Sequence, residues 1–121
     1  MKYFRLIQSF RDAIRGFRFV FRTEQNFRIQ VLVAMVALGA VILFPLRTTE
    51  RIVIVLLITM VLTMELLNTA LEYFTDLLKP RLHQYVERIK DIMAGAVLLT
   101  SLAAVVVGLL IFVPYFIDLV K

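Results

Sequence analysis

The stretch IVIVLLITMVLTMELLNTALEYFTDLLK, residues 52–79, decides how this chain folds. From Ile52 to Met64 it carries no charge, and then Glu65, Asn68, Glu72 and Asp76 follow in quick succession. At 100° per residue, with Glu65 at zero, Glu72 falls near −20°, Asp76 near +20° and Asn68 near −60°, so the four share one side of a helix. A carboxylate at membrane depth costs about 3 kcal/mol or more unless it is paired, bound to a cation or facing water, which makes such acids functional by default. Pairing with an Arg or Lys of a neighbouring helix is the plain alternative.

The rest of the chain supports a membrane as the solvent. Of 121 residues, 61% are hydrophobic, and the mean hydropathy is +0.89, more than a soluble domain of this size can bury. Apolar runs at 27–46, 52–72 and 92–117 are each long enough to span a bilayer, which takes roughly 20 residues. The first begins too late and runs too long for a cleaved signal and is expected to stay in the mature chain. Pro45, Pro80 and Pro114 fall where helices are expected to end. The backbone must satisfy its own hydrogen bonds in hydrocarbon, so the spacing predicts an all-α membrane protein and one domain over 1–121.

Net charge is +5, and its distribution argues for topology instead of nucleic-acid binding. Seven Lys/Arg lie in residues 1–28 and four in 79–90, against two in 45–51 and Lys121 at the end. That is a positive-inside pattern with the N-terminus and the second loop cytoplasmic. Residues 2–22 read as an amphipathic surface helix: Arg11, Arg15, Arg18 and Arg22 fall within about 60° of one another, beside a face of Tyr3, Ile7, Phe10, Ile14, Phe17 and Phe21. Such a helix lies in the headgroup plane. Arg5 and Asp12 sit together away from the basic stripe, where solvation is the simplest reading.

With no cysteine and one histidine, His83, the chain offers no disulfide, thiolate nucleophile or His-rich metal site. The only glycines are Gly16, Gly39, Gly95 and Gly108, so no glycine-rich phosphate loop can be drawn. A nucleotide would be held by carboxylate-bound Mg²⁺ with Arg and Lys, which phosphoryl transfer allows. Glu65 and Glu72 are two turns apart, roughly 10 Å along the axis, too far to share one ion comfortably. One acid at a reacting hydroxyl and the other at a cation is the better division, and Mg²⁺ suits a site with one or two carboxylates. Glu24 is a candidate second acid for the ion, although Glu24 and Arg28 also read as an i, i+4 ion pair. Lys90 reads either as a phosphate contact or as a snorkelling lysine, with Asp91 near a helix start. Gly95 between Ala94 and Ala96 reads as a close-packing patch.

The segment ELLNTALEYFTD, residues 65–76, preceded by EQNFR (Glu24 to Arg28) and followed by Lys90 and Asp91, resembles the small prokaryotic diacylglycerol kinase and undecaprenol kinase family of integral membrane lipid kinases. The resemblance covers nearly the whole chain. It implies a homotrimer of three-span subunits, each with a surface helix, in the cytoplasmic membrane with active sites between subunits on the cytoplasmic side. It implies Glu65 as general base toward a lipid alcohol, Glu24 and Glu72 as Mg²⁺ ligands, and Asn68, Lys90 and Asp91 placing ATP. By the same resemblance Arg5 contacts nucleotide or substrate, Arg81 and His83 lie in the nucleotide-side loop, and Arg28 and Gln30 lie near the substrate. Gln30 stands where some members have Glu and others His. The NFR segment and VGLLIFVPYF, residues 107–116, are more similar to the Gram-positive branch, which implies undecaprenol as acceptor with diacylglycerol as the alternative. From another class, a small proton-coupled transporter would need only Glu65, and a lipid-binding scaffold would leave the acidic stripe unexplained.

Overall fold

The computed structural model describes residues 1–121 as four helices and no strand: α1 (Lys2–Thr23), α2 (Gln25–Leu43), α3 (Thr48–Leu78) and α4 (His83–Val120). The helices α2, α3 and α4 are each long and apolar enough to cross a membrane. Both α3 and α4 outrun the apolar stretches within them. At 1.5 Å per residue, α3 is roughly 46 Å and α4 roughly 57 Å long, against a hydrocarbon core of about 30 Å. The α3–α4 hairpin therefore has length to spare at its turn, and that surplus carries the polar residues.

Central position belongs to α3, which packs along α4 and α2 and touches α1 near the end of that helix. Only ten residues are buried. The apolar surface left open is far larger than water tolerates, as expected of a chain whose helices face lipid or further copies of themselves. A cluster of buried apolar side chains lies at the end remote from Glu65, where Leu46, Ile54 and Ile111 pack against Phe44, Phe112 and Tyr115. There the Tyr115 hydroxyl donates to Glu50. Glu50 also accepts from the Arg47 backbone N–H at 3.0 Å and from Arg47 Nε at 3.3 Å. One carboxylate thus closes the start of α3 and fastens it to α4. Its hydrogen bond and charge hold the Arg47 guanidinium above its ordinary pKa.

Pro114 does not end a helix. α4 continues through it to Val120, where the sequence placed a boundary. A proline inside a helix removes one backbone hydrogen bond, which packing and local adjustment accommodate in membrane helices. Pro45 and Pro80 do lie in the turns between helices.

Candidate functional site

The break between α1 and α2 is a single residue. Glu24 adopts an extended conformation, φ −110° and ψ 111°, and its N–H donates to the Val20 carbonyl at 2.8 Å. The Arg28 guanidinium reaches back to the carbonyls of Phe21 and Arg22, both at 2.9 Å, satisfying acceptors that the end of α1 leaves free. The i, i+4 pair of Glu24 with Arg28 is not formed. Arg28 is occupied on the backbone, and the partly buried Glu24 keeps its carboxylate without a cationic partner.

Across from this junction, α3 presents its acid stripe. Glu65 is 2% exposed in a chain where burial is rare, and Thr69 and Thr75 are buried with it. The two threonine hydroxyls donate to helix carbonyls, Thr69 to Glu65 at 3.0 Å and Thr75 to Glu72 at 3.1 Å, so neither adds a free polar group. Gln30, from α2, donates through Nε2 to Glu65 Oε2 at 3.2 Å. The other end of its amide, Oε1, is buried with no partner. One turn along α3, Asn68 Nδ2 donates to Glu72 Oε1 at 3.4 Å. Glu65 and Glu72 thus stand two turns apart on α3, each accepting a side-chain amide hydrogen bond.

Gln30 also stands at the head of a groove of about 360 Å³ between α2, α3 and α4. Beside Gln30, only Ser101 contributes a polar side chain to its walls, which are otherwise built from residues such as Ala34, Ile58, Leu62, Ala104 and Val105. A buried carboxylate is thus bonded to an amide that has an unused acceptor and lines an apolar trough.

The remaining candidates distribute unevenly. Lys90 Nζ lies 2.8 Å from Asp76 Oδ1 across the hairpin. His83 Nε2 lies 3.2 Å from Glu87 on the same helix. Arg81 is in the turn between α3 and α4, and Asp91 is exposed on α4. Arg5 lies fifteen residues before Val20, roughly 22 Å along α1, and no hydrogen bond or ion pair ties its side chain to the acids of its own chain. Glu24, Gln30, Glu65, Asn68 and Glu72 are therefore gathered by one chain, whereas Arg5, Arg81, His83 and Asp91 are not joined to them. Thr69, Thr75 and the use of Arg28 as a cap escaped the sequence reading. The i−4 spacing of Thr69 from Glu65 is the one signal that pointed to the first of them.

No group of three or more Asp, Glu or His side chains stands together as a metal cage. Carboxylates such as those of Glu24 and Glu72 are the donor chemistry that suits Mg²⁺, a hard cation that keeps waters and takes phosphate oxygens beside one or two protein carboxylates. The arrangement can accept a proton at a buried carboxylate, and it can offer anions to a divalent ion nearby.

Residues 11–112 match the family model described as prokaryotic diacylglycerol kinase. An undecaprenol kinase of Bacillus subtilis is 38% identical over 110 residues, covering 91% of this chain and 89% of the relative. A diacylglycerol kinase of Synechocystis sp. is 39% identical over 110 residues, covering 90% of this chain and 63% of that relative.

Proposed function

The chain belongs to the prokaryotic diacylglycerol kinase family and is a lipid kinase, and from that premise we propose that it transfers the γ-phosphate of ATP to the hydroxyl of undecaprenol. In this reading the Glu65 carboxylate takes the hydroxyl proton as the alcohol oxygen bonds to the γ-phosphorus. The bond from that phosphorus to the bridging oxygen breaks, and ADP leaves. Bound Mg²⁺ supplies charge neutralisation at the phosphates, and Glu24 and Glu72 are the residues that would hold it. Asn68, Lys90, Asp91, Arg81, His83 and Arg5 are assigned to the nucleotide, and Arg28 and Gln30 to the lipid side.

The observation that carries the reading is the burial of Glu65 against Gln30 at the head of an apolar groove. A hydroxyl brought to Glu65 has a place for the chain attached to it, with its one proton directed at the Glu65 carboxylate. The two relatives carry the names of different acceptors, so the groove favours one over the other. A polyisoprenoid alcohol has no polar atom beyond its hydroxyl. The ester carbonyls of diacylglycerol would enter walls offering only Ser101 and Gln30, and a buried carbonyl without a donor is unfavourable.

The same reading takes the protein as a homotrimer in the cytoplasmic membrane, with the site facing the cytoplasm. No hydrogen bond or ion pair ties Arg5 to the acids of its own chain, which supports a site completed by a neighbouring subunit. The exposed aromatic side of α1, from Tyr3 to Phe17, supports that helix lying in the headgroup layer. Eleven of the fourteen Lys/Arg lie in residues 1–28 and 79–90, which supports the orientation. A transporter built around Glu65 loses its appeal beside two kinase relatives.

Purified protein in mixed micelles, given labelled ATP, Mg²⁺ and either undecaprenol or diacylglycerol, tests the proposal. Higher kcat/KM on undecaprenol supports it. Equal or better use of diacylglycerol overturns the acceptor, and no transfer to any lipid alcohol overturns the mechanism.

A further inference from the structure

Asp76 lies two residues before the end of α3, and Lys90 lies in the third turn of α4, so the hairpin folds them together with Nζ 2.8 Å from Oδ1. Asp76 is 57% exposed and Lys90 33%. A pair this open to water adds little to stability, because solvent screens the charges and two flexible side chains must be ordered to make it. Stability is therefore a weak reason for the contact. Its position offers a better one.

Helical spacing sets Asp76 on the same side of α3 as Glu65 and Glu72, one turn beyond Glu72. The bond to Asp76 thus holds the ammonium at the end of the acid stripe, one helical turn from the residue assigned to the cation. A lysine head sits on a four-carbon stem and, untethered near a membrane surface, extends into water. An ammonium has three donors, and one bond to Asp76 leaves two for other acceptors.

We infer that Asp76 is a positioning residue, which holds the Lys90 ammonium at the end of the acid stripe so that its remaining donors meet the phosphates of ATP. This rests on the reading of Lys90 as a nucleotide contact. Asp76 touches neither nucleotide nor lipid and acts only through Lys90. It lowers the ordering needed at Lys90 when polyphosphate arrives, and it leaves the lipid side of the site unaffected.

The test is a double-mutant cycle on the detergent-solubilised full-length protein, read by calorimetric binding of the Mg²⁺ complex of a non-hydrolysable ATP analogue. KM for MgATP and for lipid is measured alongside. Asp76→Asn is expected to weaken nucleotide binding by about 3- to 10-fold, within the range of coupled neighbours, raising KM for MgATP with little change in kcat or in KM for the lipid. Asp76→Glu, which keeps the charge, is expected to recover most of the affinity. Lys90→Ala is expected to weaken binding at least as much, and adding Asp76→Asn to it should change nothing further. If Lys90→Ala leaves nucleotide affinity intact, the nucleotide role of Lys90 fails, and the inference goes with it. If Lys90→Ala weakens binding while Asp76→Asn does not, or the two effects multiply independently, the inference alone is overturned. Loss of folded protein or of helical signal in Asp76→Asn, rescued by Asp76→Glu with no change in nucleotide affinity, would make the pair a hairpin fastener and would also overturn it.

Discussion

Replacing Glu65 by glutamine removes a proton acceptor while leaving its surroundings nearly unchanged. The side chain is 2% exposed and makes one hydrogen bond, accepted from Gln30 Nε2 at 3.2 Å. A glutamine of the same shape can accept that bond through its own amide oxygen. The hydroxyl of Thr69 bonds to the backbone carbonyl of residue 65, which the substitution does not alter. Stability is therefore expected to move by no more than about 1 kcal/mol. A positioned general base contributes about 10²- to 10⁴-fold, which corresponds to about 3 to 5.5 kcal/mol of barrier. In Glu65→Gln, kcat should fall at least about 100-fold, while an ATP analogue with Mg²⁺ binds as before because Glu24 and Glu72 are intact. Phosphate transfer in mixed micelles gives the first number and calorimetry the second. Near-normal turnover by folded protein would refute the base assignment. Loss of nucleotide binding in step with turnover would refute the division of labour, since it would move Glu65 to the cation.

The other predictions probe the neighbouring parts. Glu72→Gln and Glu24→Gln should each weaken Mg²⁺-dependent nucleotide binding by about tenfold or more, by analogy with the loss of a metal's supporting groups; a titration of binding against Mg²⁺ that is unchanged in both would exclude them as ligands. Ala104→Trp should fill the groove below Gln30 and raise KM for the lipid by about tenfold, a typical consequence of a misfitted apolar pocket, with KM for MgATP unmoved. If the lipid is used normally, the chain lies elsewhere. Tyr115→Phe removes the hydroxyl that reaches Glu50 and should lower the thermal midpoint by at most a few degrees. Glu50 is fifteen residues, roughly 22 Å, from Glu65 along α3, so nucleotide affinity should stay constant, and a change would reveal coupling along the helix.

What the sequence made legible is what depends on neighbouring residues. Hydropathy marked the cores of α2, α3 and α4, and the 3.6-residue repeat put Glu65, Asn68, Glu72 and Asp76 on one side before any coordinates. Contacts between helices depend on how each helix is rotated and how far it slides, and a periodicity does not carry that. The bond from Gln30 to Glu65 spans 35 residues, and that from Tyr115 to Glu50 spans 65; neither had a local signature. Pro114 misled because a proline signals an end only where nothing else can satisfy the freed carbonyl. Asp76 was visible on the stripe but acquired a partner only when the hairpin closed. The helices of one chain also leave Arg5 without a bond to the acids, which no pattern of residues announces.

The junction at Glu24 shows how backbone and chemistry are joined in this fold. Were α1 to run straight into α2, Glu24 would be a surface position free to pair with Arg28 one turn on, and both charges would be spent on each other. The extended conformation at Glu24 breaks that helix, and the break leaves carbonyls at Phe21 and Arg22 in need of donors. Arg28 supplies them, so the cation that would have neutralised Glu24 stabilises the bend. The carboxylate is left partly buried and uncompensated. An anion in that state is unfavourable unless positive charge arrives to meet it. The bend that turns the chain from α1 into α2 thereby keeps Arg28 on the backbone and leaves the Glu24 carboxylate without a cationic partner.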